Sequence, residues 1–143
     1  MEKKYDIVSV GEILIDMTEI GKNEKGSSLF AANPGGAPAN VAVAASRLGA
    51  KTAFIGKTGN DPLGQGLRNV LEKNGVDTAG LSVDKAVPTT IAMVSVDENG
   101  ERDFTFLRNP GADIMLSSDE LPEEMIKNSN ILPFGSVSLT DEP

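Results

Sequence analysis

The chain opens on a short apolar run, Asp6-Ile7-Val8-Ser9-Val10, rich in β-branched residues and closed by Gly11. Such a run reads as a buried strand. From Glu12 to Ile20 the pattern alternates, with Ile13, Ile15 and Met17 on one side and Leu14, Asp16 and Thr18 on the other. A period of two predicts a strand that carries Asp16 on the face opposite its isoleucines. Gly21 to Ser28 is polar and reads as a loop. Ala37 to Leu48 changes to helical spacing, with Val41, Ala44, Ala45 and Leu48 on one apolar face and Gly49 at the stop. Thr52 to Ile55 is the next strand. Asp61 is an N-cap, Pro62 suits the first helical position, and Leu63, Leu67, Val70 and Leu71 form a stripe that ends at Asn74-Gly75. Strand, helix, strand, helix predicts a mostly parallel sheet covered by helices.

Beyond Gly75 the rhythm changes. Thr89 to Val96 and Arg102 to Arg108 read as two strands joined by Asp97-Glu98-Asn99-Gly100, whose Asn-Gly pair favours a hairpin turn. Two strands alone are marginal in water. The hairpin is therefore expected to join the Asp16 strand in a small second sheet. Ser118 to Glu124 opens a short acidic helix, and Asn130 to Phe134 is a further strand leading into Gly135-Ser136. The chain has no internal repeat and no low-complexity tract.

Composition narrows the function classes. A chain of 143 residues suits one domain with a real core. A net charge of −8 argues against nucleic acid and against anionic membranes as partners. The sequence has no cysteine and no histidine. That removes a disulfide framework and a thiolate zinc site, and leaves carboxylates and lysines as general bases. Met1-Glu2-Lys3-Lys4-Tyr5 is not followed by the apolar run of a signal peptide or membrane span, so a cytoplasmic protein is expected.

The densest candidate chemistry is Pro34-Gly35-Gly36-Ala37-Pro38-Ala39-Asn40, set directly before the first helix. Two glycines let a backbone approach a small ligand closely, because no Cβ intervenes. The first-turn N–H groups are free of intrahelical partners, and Asn40 adds an amide that both donates and accepts. This combination suits a polyhydroxylated ligand such as a sugar; a tight strand-to-helix turn without a ligand accounts for it equally. Asp16 is a lone carboxylate in an apolar strand. It either caps a turn or pairs with a lysine, or it accepts hydroxyl hydrogen bonds from a sugar, for which charge-assisted bonds are the strong ones. Phe104, Phe106 and Arg108 share one strand face. They read either as hairpin packing with a solvated arginine or as an apolar cover over a pocket with Arg108 at its mouth.

Three motifs do not carry the chemistry they hint at. Gly56-Lys57-Thr58 resembles the end of a phosphate-binding loop, but Lys51 stands where the motif needs its first glycine. Asn69 and Glu72 fall mid-helix, where such a pair is more often solvated. Gly111-Ala112-Asp113 lacks the second glycine and the long helix of an anion site.

Taken together, Val10 to Asp16, Asn33 to Ala42, Leu48 to Ala50, Phe54 to Asp61, Phe104 to Asp113 and Phe134 to Leu139 resemble the ribokinase-like (PfkB) sugar kinases, and within them the fructokinase branch. The resemblance implies an α/β fold: a three-layer ribokinase-like core, a mostly parallel sheet with flanking helices, plus a small β-sheet lid. The lid segments would be about 13–33 and 89–109, with residues 1–143 forming the N-terminal part of the kinase domain. It implies ATP-dependent phosphorylation of a sugar hydroxyl, with fructose as the expected sugar. By position, Asp16, Gly35, Gly36 and Asn40 would bind sugar hydroxyls, and Phe106 and Arg108 would line the lid side of the pocket. Gly56, Gly59, Asp61 and Gly64 match the rest of the first family signature, which mainly shapes the core. Lid strands in this family often pair between subunits, so the resemblance implies a possible homodimer through the lid. Family members are considerably longer. Their Gly-Ala-Gly-Asp stretch with the general base, their ATP loops and their magnesium-ordering residues lie in the later half, so the catalytic base is expected beyond Pro143. ATP and Mg2+ are expected for a full-length enzyme, with no site for either evident in this chain. The competing expectations are a non-catalytic sugar-binding or dimerising module, and an inactive truncated fragment.

Overall fold

The computed structural model describes residues 3–96 and 101–137. In chain order the elements are β1 (Tyr5–Val10), β2 (Leu14–Lys22), β3 (Ser28–Gly35), α1 (Ala37–Arg47), β4 (Thr52–Gly59), α2 (Pro62–Lys73), β5 (Asp77–Asp84), β6 (Ile91–Val96), β7 (Arg102–Leu107), α3 (Glu123–Lys127) and β8 (Ser129–Ile131). Two 3-10 turns, Ala112–Met115 and Ser118–Glu120, precede α3. The expected Asp97–Gly100 turn, and Ser138-Leu139 of the last motif, lie outside the described residues.

These strands form two sheets. The first has the order β5-β4-β1-β8, and all of its pairings are parallel. Parallel strands need covered faces, and the alternation along β4 shows both covers. Phe54 joins Ala39, Ala42, Leu67 and Leu71 on the side of α1 and α2. Ala53 and Ile55 join Tyr5 and Val8 on the other side, beneath Leu116, Leu121, Met125 and Ile126. Helices, sheet and a thinner cover of 3-10 turns and α3 make the three layers. Each fully buried Phe54, Ile55 or Leu67 contributes about 1.5–3 kcal/mol of transfer free energy.

The second sheet has the order β3-β2-β6-β7. β2 pairs antiparallel with β3 and parallel with β6, and β6 pairs antiparallel with β7. The hairpin strands thus dock on the Asp16 strand, as their marginal stability alone requires. Ile15, with Met17 and Ile91 beside it, belongs to the α1–α2 core cluster. One face of this sheet rests on the main core, and Asp16 stands on the other.

Several elements differ from the sequence pattern. Ser28–Gly35 is a strand, and so is Asp77–Asp84; neither is signalled by a β-branched run. β4 continues past Ile55 to Gly59 because β5 pairs with it from Ile55 to Gly59. The acidic helix expected from Ser118 is split into a 3-10 turn and the short α3 at Leu121-Pro122. In α1 the buried residues are Pro38, Ala39 and Ala42, while Leu48 is 89% exposed and Val41 is exposed too. The apolar stripe at Val41 and Leu48 therefore faces out. Small residues on the inner face let α1 sit close to β1, where the Ser9 hydroxyl donates to the Pro38 carbonyl at 2.7 Å.

Candidate functional site

The site grows from strand register. Asp16 lies opposite Asn33 on one neighbour and opposite Ala92 on the other, and Ala92 lies opposite Phe106. Residues directly opposite in paired strands project from the same face. One row across the second sheet is thus amide, carboxylate, methyl and aromatic ring: Asn33, Asp16, Ala92, Phe106. The next row outward brings Val94 and Phe104 together on the same face.

Gly35 closes the inner end of β3, and a Cβ there would collide with the Asp16 carboxylate. The carboxylate therefore lies across the Gly35 α-carbon, and a side chain at 35 would displace it. Gly36 has φ 106°, a left-handed conformation that side chains rarely adopt, and a Cβ there would strike the Glu12 carbonyl. α1 begins at the next residue with Pro38 in its first turn, and the Asn40 N–H donates to the Gly36 carbonyl at 2.9 Å. Asp16, Gly35 and Gly36 are brought together at the junction of the two sheets. Asn40 stands in the first turn of α1 beside them, with its side chain exposed.

Phe106 and Arg108 stand together at the end of β7. The Arg108 guanidinium lies 4.8 Å from the centre of the Phe106 ring and pairs with Asp113 Oδ2 at 3.0 Å. Its side chain is only 11% exposed and that of Asp113 is fully buried. The Thr90 hydroxyl donates to the other oxygen of Asp113. Arg108 is therefore no solvated arginine, and Asp113 is spent on this pair rather than on an anion site.

Glu12 and Asn33 carry no role in the sequence reading, and Asp113 appears there only in the rejected anion-site motif. Glu12 is 2% exposed, and its Oε1 accepts from the Ala37 N–H at 3.2 Å. Its other carboxylate oxygen lies so close to Gly135 that a Cβ there would collide with it. The Gly135 N–H in turn donates to the Val10 carbonyl at 2.9 Å. Glu12 thus ties the end of β1, the start of α1 and the segment after β8. Its signal in the sequence is a carboxylate set inside Val10-Gly11-Glu12-Ile13-Leu14.

The charged groups nearest to a phosphate-loop or metal motif are engaged within the chain itself. Lys57 donates to the Met115 carbonyl at 2.9 Å and to Glu120 Oε2 at 2.7 Å, with Asp84 Oδ2 at 3.7 Å. That ammonium is spent inside the core cover on these partners. Among the described residues no cluster of three or more carboxylate, thiol or imidazole groups could hold a metal. In a cavity of about 240 Å³ at the start of α2, the two charged lining residues Asp61 and Arg68 are engaged as well. Asp61 caps Gly64 and Thr89, and Arg68 donates to Thr78 and Leu81. The Asp61 carboxyl lies below its ordinary value: burial pushes it up, but the Thr89 and Gly64 donors outweigh burial. Asn69 and Glu72 bond separately, to Gln65 and to the Thr78 hydroxyl.

A family model described as pfkB family carbohydrate kinase matches residues 4–142. The chain belongs to this family. Probable fructokinase-2 of Arabidopsis thaliana is 49% identical, over 99% of this chain and 44% of that protein. Fructokinase-1 of Zea mays is 47% identical, over 96% of this chain and 43% of its own length. Fructokinase from Xylella fastidiosa superposes with a TM-score of 0.88 at 38% identity, over 94% of this chain and 42% of that one. A sugar kinase from Pyrococcus horikoshii, in complex with ATP, superposes with a TM-score of 0.87 at 38% identity, over 96% and 45%. The fold is the ribokinase-like α/β fold of the pfkB family. The chain spans less than half the length of the relatives it matches. No described helix is long and apolar enough to cross a membrane.

Proposed function

We propose that this chain supplies the sugar-binding half and the lid of an ATP-dependent fructokinase-like kinase. The observation that carries the reading is the Asp16 carboxylate lying across Gly35, beside the open backbone of Gly36. Asp16 accepts hydrogen bonds from sugar hydroxyls, and the two glycines let the ring come close. Asn40 adds an amide at the start of α1. Phe106 covers the apolar C–H face of the sugar, and Arg108, lying over that ring, borders the pocket on the lid side. The second sheet, β2, β3, β6 and β7, is the lid. Phosphoryl transfer is positioning plus charge stabilisation. The groups for its ATP- and Mg2+-dependent part, with the general base, are assigned outside the described residues. Among the described residues β8 is an edge strand, and exposed Ile131 and Phe134 support a reading in which further protein covers that side. Exposed Leu29, Phe30, Phe104 and Leu107 on the second sheet support a lid that pairs with a second copy. A kinase that draws on ATP is placed in the cytoplasm.

The test is Asp16→Ala in the protein expressed from its complete reading frame. Losing charge-assisted hydroxyl bonds, at about 1.5–3 kcal/mol each, raises the fructose KM about ten- to hundredfold. The ATP KM stays within about twofold, because Asp16 touches no phosphate in this reading. Unchanged fructose kinetics would remove Asp16 from the sugar site. Fructose binding with no turnover in the unaltered protein would replace the kinase by a binding module.

A further inference from the structure

Asn33 is the one polar member of the Asn33, Asp16, Ala92, Phe106 row with no role in the proposed function. It is directly opposite Asp16 in the antiparallel pair, so the two side chains leave the sheet from the same face. Their β-carbons are then about 4.5–5.5 Å apart, a spacing at which two polar groups reach neighbouring hydroxyls of one ring. Asn33 is exposed, and its amide has no hydrogen-bond partner among the described residues. Pro34 follows it, and Pro34 has no N–H and lies opposite Ile15 on the core side. The strand alternation therefore holds Asn33 toward Asp16 without committing its side chain to packing.

The chemistry of the two groups is complementary. An ionised carboxylate only accepts, so Asp16 selects a hydroxyl that donates to it. An amide both donates and accepts, so Asn33 can donate to an oxygen whose own hydrogen is pointed elsewhere. A hydroxyl of the wrong configuration leaves the amide unmatched at one end of the row, with Asp16 between it and the apolar Ala92 and Phe106. From this juxtaposition we propose that Asn33 is a specificity-determining residue, a second sugar-hydroxyl contact that sets which ketohexose epimer the site accepts. The inference rests on the assignment of the Asp16 face as the sugar site.

The experiment is titration calorimetry of fructose and its epimers tagatose, sorbose and psicose into the protein from its complete reading frame. Unaltered protein, Asn33→Ala and Asp16→Ala are compared. Losing one neutral hydrogen bond weakens fructose binding by about three- to tenfold. At least one epimer should weaken less, so the preference for fructose over it narrows. The thermal midpoint of Asn33→Ala should stay near that of the unaltered protein, since an exposed amide leaves no cavity. Asn33→Asp is the second variant. It keeps size and acceptor, loses the donor and sets a like charge beside Asp16, so it should bind fructose more weakly than Asn33→Ala. If Asp16→Ala loses fructose while Asn33→Ala keeps every epimer ratio, the inference about Asn33 is overturned and the sugar site stands. A shifted midpoint with unchanged ratios also overturns it, by assigning Asn33 to strand stability. If Asp16→Ala leaves binding intact, the site assignment fails, and Asn33 with it.

Discussion

At the scale of single residues, the most consequential pair outside the glycine loop is Arg108 with Asp113. Both side chains are largely out of water, and the ion pair holds them together there. Removing one partner of a buried pair is costly mainly because the other charge stays buried without compensation. Asp113→Asn therefore destabilises by about 3 kcal/mol. Arg108→Met with Asp113→Asn removes both charges, and the double variant should be more stable than Asp113→Asn alone. Urea unfolding midpoints at unchanged slope read this directly. Equal destabilisation of the single and double variants would show that the pair is not coupled. The same pair bears on the proposed pocket. The guanidinium that Asp113 holds is the one that lies over Phe106, and cation–ring contacts at partly covered sites contribute about 0.5–2 kcal/mol. Asp113 acts on the ring through Arg108, as a positioning residue. No local pattern points to it, because its partners Thr90 and Arg108 meet only once β6 and β7, which they flank, are paired.

At the scale of elements, the glycine loop is held from behind by Glu12. Glu12→Ala leaves the Ala37 N–H without that acceptor at the start of α1, at a cost of about 1–3 kcal/mol. Glu12→Gln keeps an amide oxygen in the same place and should recover most of that loss in a denaturation series. Failure of glutamine to recover it would assign the effect to charge rather than to the hydrogen bond. The glycines and Asp16 were legible in the sequence because each is a chemically marked residue in a strongly patterned stretch. The capped start of α2 was legible too, and Asp61 accepts from the Gly64 N–H at 2.8 Å. β3 was not, since an edge strand of Ala31, Ala32, Asn33 and Pro34 has little side-chain burial to impose a pattern. β5 was hidden by its own packing: Gly80 must be small because a Cβ there would meet Ile55 at 2.8 Å. The exposed stripe of α1 misled for the opposite reason. Close approach to β1 selects alanine and proline on the buried face, so the larger apolar residues mark the outside. Asn33 gains meaning only once β3 is in register with β2, which no local signal specifies.

At the scale of the whole molecule, the ion pairs and caps predict a stability plateau with defined ends. The Tyr5 hydroxyl donates to Asp77 at 2.6 Å and holds its carboxyl below the ordinary 3.8. Backbone N–H groups of Ala86 and Val87 do the same for Asp84, and Lys57 holds Glu120 below its ordinary 4.5. Asp61 is lowered as well. Each of these carboxylates binds a proton more readily in the unfolded chain than in the folded one. Between the folded and unfolded values the unfolded state carries more protons, so stability rises with pH there. Their contribution is complete above the ordinary carboxylate range and is lost as pH falls through the lowered values. At the alkaline end the sign reverses. Burial, with the bond to Asp77, raises Tyr5 above its ordinary 10.0, so its contribution is present below that value and lost as pH rises through the raised one. With no histidine in the sequence, no imidazole titrates between the two ends. The thermal midpoint, followed at constant ionic strength, should therefore be flat from about pH 5 to 9, with a fall on each side. Asp61→Asn removes one lowered carboxylate and should make the acid fall shallower while lowering the plateau. A step in the unaltered protein between pH 6 and 7 would contradict the assignment of stability to these carboxylates and Tyr5.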